Sequence, residues 1–404
     1  MTQSKSFAFR AEFILLALLL FIIEFVRGAF LVSFLPVYGV NELGFSKTII
    51  GVAVSVHYVV DTTVKLFAGY FLDRFSMKLV VIVGLITSLV GLVLLYSPTQ
   101  EWILILASAL FGVGITPLWL VCLTRVTEDK RAQQMGALYT VWLVGLGSGP
   151  VVINLFIDRG FLLTYWILVG LWAICTLLAF FMPKLEGSSI PKTLPMRKQV
   201  ELLWQRLRKM KLMLPGMILQ TAAAGMLLPI LPNFASHALG LSYTEYSYVL
   251  TAGGAMTVLL LVPMGKLSDR FGKKWFLVLG FGGFSLGLLG LTFSTSLIAS
   301  ILLAAFIGLS YSAVLPAWNA LLAGHVPKEQ QGMGWGLFSS IEGIGVVIGP
   351  VIGGWLAQQF SDTLTIGISS LILGGIAIFY LVLSTSFYQE EKPNNTMKRD
   401  HANE

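Results

Sequence analysis

The chain has 404 residues, of which 56% are hydrophobic and 12% charged, about half the charged share of an ordinary soluble domain. That composition excludes a soluble globular protein, and the net charge of +7, which could suggest nucleic acid as a partner, is distributed along loops in a way that argues for a membrane instead. The two cysteines, Cys122 and Cys175, lie in apolar stretches without metal-ligand spacing and read as packing residues.

About 20 apolar residues cross a bilayer as a helix. Twelve such segments are expected, at residues 13–38, 46–72, 78–97, 101–124, 134–157, 163–183, 213–237, 245–267, 274–293, 297–323, 332–356 and 363–386. The first follows Arg10 without a small-residue cleavage site, so it is expected to be a retained helix rather than a signal peptide. It carries Glu24 and Arg27, three apart; the second carries His57, Asp61 and Lys65, successively four apart. Each set therefore shares one helix face.

An ionisable group at the centre of a spanning helix costs about 2.5–3.5 kcal/mol, so these five side chains ask for an explanation. One reading is a pair of structural salt bridges, Glu24 with Arg27 and Asp61 with Lys65. The other is a cavity lined by both helices, with Glu24 and Asp61 carrying protons and Arg27 setting their behaviour or binding substrate. His57 fits a proton relay or a satisfied buried histidine equally well. Trp119 in the fourth segment and Trp142 in the fifth lie away from the interfaces where tryptophan accumulates; they fit either packing or a platform on which a sugar ring stacks.

Between the second and third segments runs Gly69-Tyr-Phe-Leu-Asp73-Arg74-Phe-Ser76-Met77-Lys78. Residues 184–211 then form the longest polar interruption, with Pro191, Pro195 and eight basic residues, dividing the segments six and six. Within it Val200, Leu203, Trp204 and Leu207 recur at helical spacing opposite Arg197, Lys198, Arg206, Arg208 and Lys209; this suits a basic amphipathic helix on a membrane surface or a solvated linker. Expected domains are thus a first six-helix bundle at 1–183, the linker at 184–211, a second bundle at 212–388 and a disordered polar tail at 389–404. The basic residues gather in loops on the side of both termini, while the opposite loops hold only Lys47 and Arg159, which puts both termini in the cytoplasm.

The second half repeats the first. Gly265-Lys-Leu-Ser-Asp269-Arg270-Phe-Gly272-Lys-Lys lies 196 residues after the Gly69 loop (265 minus 69). Pro316-Ala-Trp318 lies 199 after Pro117-Leu-Trp119 (316 minus 117), and Gly345-Val-Val-Ile-Gly349-Pro350 lies 200 after Gly145-Leu-Gly-Ser-Gly149-Pro150 (345 minus 145). Three echoes at nearly one offset mark an internal duplication. The Asp-Arg loops resemble those of the major facilitator superfamily, and with the duplication they imply an all-α membrane transporter of twelve helices in two pseudo-symmetric bundles. Asp73, Arg74, Asp269 and Arg270, on turns opened by Gly69 and Gly265, would act as latches that hold one conformation and release in the other. Ser76 and Met77 depart from the family's glycine and basic residue, so the first turn is expected to be looser. The Gly349-Pro350 helix resembles the antiporter motif of drug:proton exchangers, although that motif belongs on the fifth helix, where this chain has Asn154.

Glu342 is the ionisable group well inside the second half's segments, and Trp318 with Asn319 is the second-half pair corresponding to the first half's tryptophans. An ionic and aromatic first half facing a largely aliphatic second half suits an amphiphile, headgroup to one side and acyl chains to the other. The stretches Glu24-Phe-Val-Arg27-Gly28, Ser55-Val-His57-Tyr-Val-Val-Asp61, Pro117-Leu-Trp119, Val126-Thr-Glu128-Asp129-Lys130-Arg131, Leu315-Pro316-Ala-Trp318-Asn319 and Trp335-Gly336-Leu-Phe338 together resemble the proton-coupled flippases for the glycolipid anchor of lipoteichoic acid in Gram-positive bacteria. The resemblance implies export of a diglucosyl-diacylglycerol type lipid against protons in a bacterial cell membrane. It assigns Glu24, Arg27, Asp61, Trp119 and Trp142 to a polar pocket for headgroup recognition and proton coupling; beyond the resemblance, charge and position add His57 to the proton-coupling candidates and Lys65, Glu342, Trp318 and Asn319 to the substrate contacts. Lys65 and Glu342 depart from the family pattern by adding charge. The competing reading is a multidrug proton antiporter of the same superfamily. No nucleophile–base pair, phosphate loop or metal-ligand spacing points to an enzyme or a cofactor, and a monomer is the default.

Overall fold

The computed structural model describes residues 2–96, 98–124, 131–182, 211–323 and 331–383, with side chains described throughout except at 2–11, 66–74, 124, 131–133, 135–136 and 331–337. The expected linker and tail therefore fall almost wholly outside the described residues, as do the side chains of Gly69, Asp73 and Arg74.

The described residues are helical nearly throughout. The first span joins α1 (Thr2–Gly28), a π-helical turn (Ala29–Phe34) and α2 (Leu35–Asn41). Then come α3 (Lys47–Arg74), α4 (Met77–Leu94), a broken span made of α5 (Glu101–Phe111) and α6 (Ile115–Thr124), α7 (Arg131–Ile157) and α8 (Phe161–Ala179). The second half opens with another broken span, α9 (Leu214–Leu227) and α10 (Leu231–His237), bent by 44°. It continues with α11 (Tyr243–Phe271), α12 (Lys273–Leu291), α13 (Leu297–Ala323), α14 (Gln331–Gln359) and α15 (Asp362–Val382). Among the described residues ten spans are long and apolar enough to cross a membrane, eleven with the bent pair. The remaining one, α3, is 28 residues long, about 42 Å, with its side chains described as far as Lys65.

Each half buries its own apolar core. Leu16 to Met182 form one cluster and Met213 to Tyr380 a second. Glycine sets the helix spacing within both. A Cβ on Gly28 or Gly149 would run into the carbonyls of Leu146 and Phe25, so α1 and α7 touch backbone to backbone. In the second half, Gly345, Gly349 and Gly353 meet the carbonyls of Ile218, Ala222 and Met226 in steps of four, joining α14 to α9 in the same manner. The first-half ladder stops one step earlier: the residue equivalent to Gly353 is Ile153, opposite Ala29. There the first span leaves α geometry for its π-helical turn.

The Asp-Arg turns also differ between halves. Gly272 links α11 to α12 with φ of 91°, a conformation that a side chain would strain. Its first-half equivalent, Ser76 (272 minus 196), has φ of −62° and caps α4 by accepting from the Leu79 amide at 3.2 Å. The glycine is dispensable there because the turn takes an ordinary backbone conformation and a hydroxyl cap. Asp269 and Arg270 are exposed at the end of α11, and Arg270 lies over the Phe271 ring at 5.3 Å.

The two bundles meet through α3 against α14 and α7 against α11. A Cβ on Gly51 would collide with the Pro350 carbonyl, and one on Gly354 with that of Lys47. The same end of the molecule is tied by polar bonds: Lys47 Nζ to Asp362 Oδ1 at 2.6 Å, the Lys47 amide to Gln358 Oε1 at 3.0 Å, and Asn233 Nδ2 to the Pro36 carbonyl at 2.9 Å. Asp158, past the end of α7, accepts from the amides of Tyr243 and Thr244 at 3.2 and 2.7 Å, supplying a carboxylate to the N-terminus of α11 in the other bundle. Ser247 Oγ donates to the Val151 carbonyl at 2.7 Å, and Asn41 Nδ2 to the Tyr243 hydroxyl at 3.2 Å.

Candidate functional site

Two polar centres lie within the spans, one in each half. In the first, Glu24 and Arg27 sit one turn apart on α1, joined at 2.6 Å and buried, with side chains 1% and 8% exposed. On α3, Lys65 Nζ reaches Asp61 Oδ2 at 2.7 Å; Asp61 is buried and Lys65 half open. The spacing of three and four residues that suggested these pairs is the spacing at which helix neighbours meet. Glu24, Arg27, Tyr58, Asp61 and Lys65 lie within electrostatic range of one another across the two helices. His57 is fully buried one turn from Asp61, its ring 5.1 Å from Phe111 and 5.4 Å from Tyr58.

A third element completes the cluster. Between α5 and α6 the chain breaks at Gly112-Val-Gly114, and buried Ser88 holds the break open: its hydroxyl accepts from the Gly114 amide and donates to the Phe111 carbonyl, each at 2.8 Å. Backbone groups freed by the break are thereby satisfied without water. The break sets Thr116 against α3, where its Oγ1 donates to Asp61 Oδ1 at 2.5 Å. Asp61 therefore holds Lys65 on one oxygen and Thr116 on the other.

Of the two tryptophans, Trp119 packs edge-on against half-exposed Tyr139 at 5.3 Å, and Trp142 lies partly buried against the first core. The structure thus brings Glu24, Arg27, His57, Asp61 and Lys65 together. Thr116, Tyr58 and Ser88 were not singled out from sequence. A hydroxyl just before the Pro117 echo was the available signal for Thr116.

The second centre is built on α14. Glu342 Oε1 accepts from Trp318 Nε1 on α13 at 3.0 Å and from Gln220 Nε2 on α9 at 3.3 Å, while the Glu342 carbonyl accepts from Thr221 Oγ1 at 2.8 Å. Trp318 is buried, edge-on to Phe281 and Tyr380, so its face is closed in this conformation and its N–H positions Glu342. Asn319 is exposed beside it. The second half is accordingly less uniformly aliphatic than its sequence suggested. Gly349 and Pro350 fall in the packing ladder with α9 and at the bundle contact with Gly51. Gly265 lies at ordinary contact distance, 3.5 Å, from Pro316. No group of residues suited to holding a metal ion occurs among the described residues.

A family model described as the Major Facilitator Superfamily matches residues 16–219 and again 213–403. Among curated relatives, the proton-coupled antiporter flippase LtaA of Staphylococcus saprophyticus is 32% identical over 376 residues, covering 91% of this chain and 93% of the relative. The protein of the same name from Staphylococcus aureus is 32% identical over 392 residues, covering 93% and 96%. Among solved structures, the nucleoside transporter NupG superposes with a TM-score of 0.76 at 14% identity, over 94% of this chain and 100% of that one. The peptide transporter POT superposes at 0.73 and 13% identity, over 93% and 94%. Likeness at that identity speaks for the fold alone.

Proposed function

The chain belongs to the major facilitator superfamily, a family of transporters rather than enzymes, and on that footing we propose that it is a proton-coupled antiporter flippase. Its cargo on this reading is a diglucosyl-diacylglycerol type glycolipid, the anchor of lipoteichoic acid, moved from the inner to the outer leaflet of a bacterial cell membrane. The observation that carries the proposal is the ionic cluster of α1 and α3, five ionisable side chains in one bundle of which Glu24, Arg27, His57 and Asp61 are buried. The similarity to the staphylococcal flippases over more than nine-tenths of the chain supports the cargo class.

In this scheme Asp61 and Glu24 exchange protons, each now neutralised by a cation on its own helix. Arg27 and Lys65 are donors that can leave those carboxylates for sugar hydroxyls once the carboxylates are protonated. Proton and headgroup would then compete for one set of charges, which is a coupling free energy between two ligands. Trp119 and Trp142 offer flat faces for sugar rings, while His57, one turn from Asp61, lies where a relay would. Glu342, Trp318 and Asn319 form the opposing wall in the second bundle.

With both termini cytoplasmic, the end tied by Lys47 with Asp362 and by Asp158 is the outer one. The described conformation then has its outer end fastened, the arrangement needed to load from the inner leaflet, with Asp73, Arg74, Asp269 and Arg270 as latches of the opposite end. Rocking of the two bundles about α3–α14 and α7–α11 would alternate access.

The test is reconstitution in liposomes with a fluorescent short-chain diglucosyl-diacylglycerol and an imposed pH gradient. Gradient-driven flipping in the wild type, lost in Asp61→Asn, is the expected outcome. If the gradient instead drives a lipophilic cation and leaves the glycolipid in place, the cargo belongs to the drug-efflux class.

A further inference from the structure

We infer that Glu342 is a second proton carrier of this transporter, accepting its proton on Oε2 while Trp318 and Gln220 hold Oε1. The inference rests on the proton-coupled reading above and adds a residue to it from the other bundle.

The first argument is charge matching. Both carboxylates of the first centre have a cation within 2.7 Å. Protonating Asp61 means releasing Lys65 from Oδ2 or turning the Thr116 hydroxyl away from Oδ1. Glu342 stands differently. Its two described partners, an indole N–H and an amide N–H, are both neutral and both bond Oε1. Among the described residues no Lys, Arg or His lies within ion-pair distance of it, and Oε2 takes no donor. A proton arriving on Oε2 forms an O–H bond there and leaves both existing bonds in place. Changing the charge at Glu342 therefore costs no ion pair.

The groups around it are consistent with that use. Tyr311 on α13 is the titratable side chain that feels its charge; α9 has no titratable residue, and Tyr380 of α15 touches Trp318. Across the bundle interface, α3 carries Lys47, His57, Tyr58, Asp61 and Lys65, none within ion-pair distance of Glu342.

The second argument is position. The collisions at Gly51 with Pro350 and at Gly354 with Lys47 fix one antiparallel register for α3 and α14, pairing residues whose numbers total 401. In that register Asp61 is level with residue 340, two residues from Glu342. Counted from the tied end, Asp61 lies ten residues beyond Gly51, about 15 Å, and Glu342 eight residues before Pro350, about 12 Å. The two carboxylates thus sit at nearly one depth, one on each of the two helices that form the bundle contact. Protons crossing the membrane would pass both: from the outer water to the carboxylates when the outer end is open, and to the cytoplasm when the inner end opens.

Full-length protein reconstituted in liposomes gives a test with two readouts. Infrared difference spectra between acidic and alkaline buffer need no cargo; a carboxylic-acid carbonyl band is expected in the wild type and in Glu342→Asp, and its amplitude should fall in Glu342→Gln. The glutamine keeps an oxygen acceptor for Trp318 and Gln220, so the variant should remain monodisperse. In the flipping assay, Glu342→Gln should lose gradient-driven movement of the fluorescent glycolipid by about tenfold or more. Undiminished carbonyl intensity in Glu342→Gln, or undiminished gradient-driven flipping, overturns the assignment and leaves the proton-coupled function standing. If the wild type flips no glycolipid, the cargo reading fails, and the infrared band alone decides whether Glu342 takes up a proton.

Discussion

The two polar centres solve the same problem in opposite ways. In the first centre both carboxylates are closed by a cation from their own helix, Glu24 by Arg27 and Asp61 by Lys65, and Asp61 is held to α6 through Thr116. In the second, a single carboxylate is held by neutral donors from two other helices. The first arrangement is expensive to disturb because removing one partner strands a charge in a medium that cannot solvate it. The second changes charge without losing a bond. On the proposed reading, a transporter that both grips a polar headgroup and turns over protons has use for each.

The contrast can be broken most forcefully at Arg27. Arg27→Ala leaves Glu24 buried without its cation and should lower stability by about 3–5 kcal/mol, read as thermal unfolding in detergent; the double change Glu24→Gln with Arg27→Gln should recover much of that loss. Next is Thr116→Val, which removes a donor from ionised Asp61 and should cost about 1.5–3 kcal/mol by the same measurement, with gradient-driven flipping weakened more than flipping at equal pH. Lys47→Met unfastens Asp362 at the tied end without touching either centre. Loss of about 1 kcal/mol there would shift the conformational balance about fivefold, measurable as a longer distance between spin labels placed on the α3 and α14 ends. The smallest effect is the one that sharpens the contrast: Glu342→Gln should change stability by less than about 0.5 kcal/mol, because both of its donors keep an acceptor.

The spans and the first centre were largely readable in advance. Apolar length gives a spanning helix, and charges three or four apart on such a helix have little choice but to face each other, so Glu24–Arg27 and Asp61–Lys65 follow from spacing. What spacing cannot convey is partnership between helices distant in sequence. Thr116 reaches Asp61 only because Ser88 satisfies the break at Gly112–Gly114. Glu342 could be flagged as an intramembrane charge, but its donors Trp318 and Gln220 come from α13 and α9. Lys47 stood out as a rare basic residue on its side of the chain; its partner Asp362 is 315 residues away. The duplicated glycine motifs mark where helices approach; the departure seen in the sequence is Asn154, and its neighbour Ile153, at the Gly353 position, is known as the place where the copies part only from the helix packing.

That parting has a geometric consequence. A π-helical turn takes in one residue more than an α-helical turn, and in an α-helix each residue advances the side-chain direction by about 100°. The turn at Ala29–Phe34 therefore resets the angular phase of the first span between Glu24–Arg27 on one side and Asn41 on the other. Deleting a single residue inside it would restore a uniform helix and leave the span unable to aim both ends: with Asn41 kept on Tyr243, the guanidinium of Arg27 would swing about 100° away from α3. One surplus residue in the first span is thus a rotational offset that lets a single rod address the ion cluster and the tied end at once.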